Sequence, residues 1–115
     1  MKGNLSRDAI QRSVATTHGH HPAANTAAVV TVAAVEEEVH AVVYIILSYS
    51  AAPTNGRLTV VSGSTTLLDQ DITSEGLAPL PVEAGIHNGT KNEAMVVTLA
   101  AGGSGVIGNL EVLVV

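Results

Sequence analysis

From residue 27 onward, short apolar runs alternate with turn residues along the chain, and the runs are rich in Val, Ile and Thr. Branched side chains at two-residue spacing predict strands rather than helices. The runs are "AAVVTVAAV" (27–35), "EVHAVVYIILSYS" (38–50), "RLTVVSG" (57–63), "STTLLDQDI" (64–72), "AMVVTLAA" (94–101) and "VIGNLEVLVV" (106–115). "SEGLAPLPV" (74–82) holds two prolines, which predicts an edge strand or an extended loop. "EAGIHNGTKNE" (83–93) reads as a long polar loop. Asn55-Gly56 is a hairpin signal, and Gly63-Ser64 a turn. About seven strands with turn signals at such intervals predict an all-β fold: an antiparallel β-sandwich, jelly-roll-like, over residues 27–115.

The longest run departs from simple alternation. In 39–49 the odd positions carry Val39, Val43, Ile45 and Leu47, and the even positions carry Val42, Tyr44 and Ile46. A strand covered on one face alternates more cleanly than this. One face therefore belongs to the core and the other to a second cover, most simply a neighbouring subunit. Val39, Val42, Val43, Tyr44, Ile45, Ile46 and Leu47 are the candidate self-association residues.

Residues 1–26 differ from the rest. Ser6 is a candidate cap for a short helix with Ile10 and Val14 on one side, and Gly19 and Pro22 act as breakers beyond it. So short a helix is marginal alone. The expectation is an N-terminal arm, extended or short-helical, that orders against a partner.

Charge sharpens this division. Lys2, Arg7 and Arg12 against Asp8 give residues 1–24 a charge of +2, while Arg57 and Lys91 against nine acids give residues 25–115 a charge of −7. Three cations are too few for a nucleic-acid footprint, and the acidic body has the wrong sign. Lys2, Leu5, Arg7, Ile10, Arg12 and Val14 are the candidate arm residues for gripping a partner, whether a neighbouring subunit or another protein. Charged residues make up only 13% of the 115-residue chain, about half the usual share, so part of its surface is suited to cover by protein. Tyr44 and Tyr49 are the only aromatics, so the core must be aliphatic. The absence of cysteine removes disulfides and thiolate metal sites and fits synthesis in a reducing cytoplasm. The first residues show no signal-peptide pattern, and no apolar run is long enough to predict a membrane-spanning helix.

Several motifs invite chemistry. "GSGVIG" (103–108) matches the G-x-G-x-x-G of a dinucleotide loop, but that loop needs a helix after it. Residues 109–115 are strand-forming, so the glycines read as a tight turn between antiparallel strands, with Gly108 a bulge or a close-packing point. His18, His20 and His21 are a candidate zinc or nickel cluster without a nearby carboxylate or rigid frame. His40 and His87 read as strand and surface residues, "EEE" (36–38) as a solvated turn, and Asp69 and Asp71 as two carboxylates on one strand face. Two N-x-S/T triplets, at Asn4 and Asn88, read as chance matches. No catalytic constellation emerges, and the expectation is a protein without enzyme activity, cofactor or metal.

Three stretches, "NTAAVVTVAAV" (25–35), "LSYSAAPTNGRLTV" (47–60) and "MVVTLAAGGSGVIGNLEV" (95–112), together resemble small β-sandwich structural proteins of tailed bacteriophages. The resemblance implies a capsid decoration, cement or head-fibre-type protein. It further implies self-association, often threefold, attachment to the major capsid protein, and residence on the virion after synthesis in the host cytoplasm. Two other readings stay open. One is a tail- or receptor-associated β-module that binds carbohydrate, for which only Tyr44 and Tyr49 offer a platform. The other is a cupin-like metalloprotein using the clustered histidines.

Overall fold

The computed structural model describes residues 16–37, 40–81 and 92–114. Its strands are β1 (Thr16–His20), β2 (Ala28–Val32), β3 (Val42–Tyr49), β4 (Gly56–Ser62), β5 (Thr65–Ile72), β6 (Gly76–Pro81), β7 (Met95–Leu99) and β8 (Gly108–Val114). No helix occurs among the described residues. The strands form two four-stranded antiparallel sheets, ordered β1-β8-β3-β6 and β2-β7-β4-β5.

The pairing follows one rule. β4 pairs with β5, β3 with β6, β2 with β7 and β1 with β8, all antiparallel. The chain is thus a ribbon doubled back on itself at the Gly63-Ser64 turn. The β3–β8 and β4–β7 pairs join the ribbon to itself and complete each sheet. Gly63 takes the positive φ of 58° that a two-residue hairpin needs at its first central position. Its N–H donates to the Ala94 carbonyl at 3.0 Å, which holds the hairpin to the start of β7.

The inner faces of the two sheets meet in one aliphatic core. Ala28, Val30, Leu58, Val60, Met95, Val97 and Leu99 come from the second sheet, and Val42, Ile45, Leu47, Leu110, Val112 and Val114 from the first. Alternate residues are buried along β4, β7 and β8, as one-sided cover requires. Tyr49 is the one aromatic in this core.

Three local expectations change in the structure. Asn55 has the positive φ of 61° suited to an Asn-Gly turn, yet the connection is no hairpin: β3 lies in the first sheet and β4 in the second. The "GGSG" turn likewise carries the chain between sheets, from β7 to β8. The part of the expected arm at Thr16–His20 is an edge strand of the first sheet, hydrogen-bonded to β8 in the register Thr17↔Leu113 and Gly19↔Glu111. The rest of the arm, including Lys2, Leu5, Arg7, Ile10, Arg12 and Val14, lies outside the described residues, as does the loop with His87.

Candidate binding face on the first sheet

The two-faced strand is resolved by a bulge. The register between β3 and β8 shifts between Val42 and Tyr44, so Val43 is the extra residue. Val42 before the bulge and Ile45, Leu47 and Tyr49 after it all point into the core. Of the seven candidate self-association residues, Val42, Ile45 and Leu47 are therefore consumed by the protein's own packing. Tyr44 and Ile46 face outward, each 36% exposed, and Val43 is half-buried. Val39 lies outside the described residues.

The cross-strand register places further residues beside Tyr44 and Ile46. Leu113 lies opposite Tyr44 and carries the row on to Thr17 of β1. Glu111 lies opposite Ile46, and Asn109 opposite Ser48. On the other side of β3, Ser48 pairs with Leu77, which is 70% exposed. Thr17, Tyr44, Ile46, Glu111 and Leu113 line a shallow groove. A second depression continues it past Ile46 toward Ser48, His21 and Leu77. The face is apolar around Tyr44, Ile46 and Leu113, turns polar at Ser48 and Asn109, and has one carboxylate in its middle row, where His21 Nε2–H donates to Glu111 Oε2 at 3.2 Å.

The outer face of the other sheet has a different chemistry. Its rows are Val29–Thr98–Thr59–Asp69 and Thr31–Val96–Val61–Thr66. Threonines dominate there, and Arg57 bonds to both Asp69 and Asp71. The hydrogen bond from Arg57, then its charge, holds the Asp69 carboxyl below its ordinary range, and Asp69 holds the guanidinium above its own. The two aspartates of the sequence pattern thus have a cation supplied by the neighbouring strand.

The histidines do not converge. Thr17 lines the outer groove, so by strand alternation His18 and His20 project the other way. His20 Nδ1 accepts a hydrogen bond from the Val29 N–H at 2.9 Å, which closes the side of the sandwich between β1 and β2. His21, just past the strand, returns to the outer face and Glu111. Among the described residues no group of three or more His, Asp or Glu side chains is placed to hold a metal ion. His40 is buried and donates from Nε2 to the Ala33 carbonyl at 2.8 Å, a structural bond.

The glycine motif is also engaged internally. Val106 N–H donates to the Gly103 carbonyl and Ile107 N–H to Ser50 Oγ. The carbonyls of Gly102, Val106 and Ile107 accept from Thr54, Asn25 and Ser50. Gly103 and Gly105 take positive φ values of 108° and 77°, and Gly108 opens a strand rather than a helix. Two N–H groups that a phosphate would need are therefore occupied.

Among the described residues no helix is long and apolar enough to cross a membrane. The signal that sequence reading missed was β1. "TTHGH" has no apolar alternation, and its strand conformation rests on pairing with β8. No protein-family model matches this chain, and no curated protein matches it in sequence.

Proposed function

We propose that this protein acts by binding rather than catalysis, as a decoration or cement protein of a tailed-bacteriophage head. In this reading it self-associates, as a trimer by the resemblance, and binds the major capsid protein at the virion surface. The observation that carries the reading is the outer face of the first sheet. Tyr44, Ile46, Leu113 and Leu77 form a connected apolar surface across β8, β3 and β6. Burying a side chain of this size is worth about 1.5–3 kcal/mol, so a few of them dominate an association energy. The opposite outer face carries only the smaller Val29, Val61 and Val96, set among threonines and the Arg57–Asp69–Asp71 group.

Two further features support the reading. The strand pairing, with β1·β8, β2·β7, β3·β6 and β4·β5 as partners, supports reading the sandwich as a jelly roll. Jelly rolls are frequent in viral capsids, although the same architecture also serves lectins and cupins, so fold alone does not choose. The three stretches 25–35, 47–60 and 95–112 supply the resemblance to tailed-phage structural proteins.

The test has two readouts. Sedimentation of the full chain at micromolar concentration should give an oligomer rather than a species near 11.7 kDa. The protein should also bind saturably to purified heads that lack a decoration layer. A monomer that ignores such heads would overturn the proposal.

A further inference from the structure

The groove on the first sheet has a matching segment in the same chain. Residues 1–15 carry Lys2, Arg7 and Arg12 against Asp8, and within them Ile10, Arg12 and Val14 stand at two-residue spacing. In an extended segment these three share one face, with Ile10 and Val14 ~13 Å apart and the cation between them. The groove has a counterpart to each of the three. Its rows advance along β3 from Tyr44 with Leu113, through Ile46 with Glu111, to Ser48, which has Asn109 on one side and Leu77 on the other. Tyr44 and Ser48 are also four residues apart, hence ~13 Å, and the one carboxylate lies in the middle row. An apolar–cationic–apolar face thus meets a carboxylate flanked by Tyr44 and Leu113 on one side and, beside the polar Ser48 and Asn109, by the exposed Leu77 on the other, over an equal length.

We propose that residues 10–14 of one copy lie extended in the groove of a second copy, with Arg12 on Glu111 and with Ile10 and Val14 on the apolar side chains to either side, Tyr44 with Leu113 at one end and Leu77 at the other. This clasp rests on the assembly reading above and specifies how the copies join. The direction of the chain selects a neighbour rather than the same copy. Residue 15 leads directly into β1, whose first residues Thr16 and Thr17 pair with Val114 and Leu113 at the groove's own edge. To reach its own groove the chain would have to reverse just before Thr16. A reversal takes about four residues, which would consume Arg12 and Val14. Continued without a reversal, the segment leaves the sheet beyond the Val114 end and reaches up to ~50 Å from it. Glu111 already accepts from His21, but a carboxylate has room for further donors, and its side chain is 45% exposed.

The test uses three full-length variants and sedimentation equilibrium, with circular dichroism to check that each keeps its β signal. Arg12→Glu/Val14→Asp disables the segment, Ile46→Asp disables the groove, and Arg12→Glu/Glu111→Arg exchanges the charges. Each of the first two should weaken self-association at least tenfold. A mixture of these two should associate where each alone does not, because one supplies a sound groove and the other a sound segment. The charge exchange should associate more tightly than Arg12→Glu alone. Undiminished association of the segment variant, or a mixture no better than its parts, would overturn the clasp while leaving head binding by the native chain intact. A native chain that neither associates nor binds heads would take down both the clasp and the assembly reading.

Discussion

The hydroxyl of Tyr49 donates to the carbonyl of Ala100 at 2.6 Å, joining the end of β3 in one sheet to the residue after β7 in the other. The same ring lies under the glycine loop. A Cβ at Gly102 would sit 2.6 Å from Val106 Cγ1 and 3.0 Å from the Tyr49 ring, and one at Gly108 would sit 3.1 Å from it. The loop is therefore shaped around a tyrosine. Tyr49→Phe keeps the ring and leaves the Ala100 carbonyl without its donor, an expected loss of about 1–3 kcal/mol in urea unfolding. Amide exchange in residues 100–107 should quicken in the same variant.

Burial also pushes the Tyr49 phenol above its ordinary value, with a backbone hydrogen bond from Arg57 pulling the other way. The folded state therefore holds this proton more tightly than the unfolded chain. The resulting stability is complete below the unfolded phenol value of about 10 and is lost as pH rises through the higher folded value. Alkaline unfolding curves of the native protein should show this loss, and those of Tyr49→Phe should lack its contribution.

Two glycine substitutions separate packing from backbone strain. Gly102→Ala places a methyl against Val106 and Tyr49, and overpacking of this kind costs about 1–3 kcal/mol. Gly105→Ala meets open space but must hold a φ near +77°, a cost of about 1–2 kcal/mol. In the Gly102 variant the near-ultraviolet signal of Tyr49 should change, and in the Gly105 variant it should not. Calorimetry of the native protein with NAD should be silent, because Val106 N–H and Ile107 N–H are already bonded within the loop.

Neighbouring residues of β3 should respond oppositely to truncation. Ile45 is fully buried, and Ile45→Ala should cost about 2–5 kcal/mol in thermal or chemical unfolding. Ile46→Ala should change unfolding of the isolated subunit far less but weaken self-association. Equal effects on subunit stability would mean that the faces of β3 are misassigned.

Arg57→Ala removes an exposed cation from between two carboxylates, so its effect should be small and should fade in 1 M salt. Asp69 is depressed in the folded state, so its contribution is present above the unfolded carboxyl value of about 3.9. It is lost as pH falls through the lower folded value. Stability curves of the native and variant proteins should therefore converge in acid.

Much of this architecture is legible along the chain. The β-branched runs place β2, β3, β4, β5, β7 and β8 to within a few residues, because extended backbone and alternating burial are local preferences. The two prolines put β6 at an edge, where a missing N–H is harmless, and β6 is the outer strand of its sheet. An apolar surplus on residues 39–49 marked the strand that carries an open face. Which side chains stay on that face was set by the Val43 bulge, which turns Val42 inward with Ile45 and Leu47 and leaves Tyr44 and Ile46 outside. Turn residues announced a change of direction at Asn55-Gly56 and at 102–105. They carry no information on whether the next strand returns beside the last or crosses to the other sheet. That choice depends on partners far away in sequence, β8 for β3 and β7 for β4. The strand conformation of Thr16–His20 is the extreme case. The two threonines of "TTHGH" lean toward a strand but present no buried face, and the edge of β8 decides it, since ladder hydrogen bonds belong to the pair and not to either strand alone.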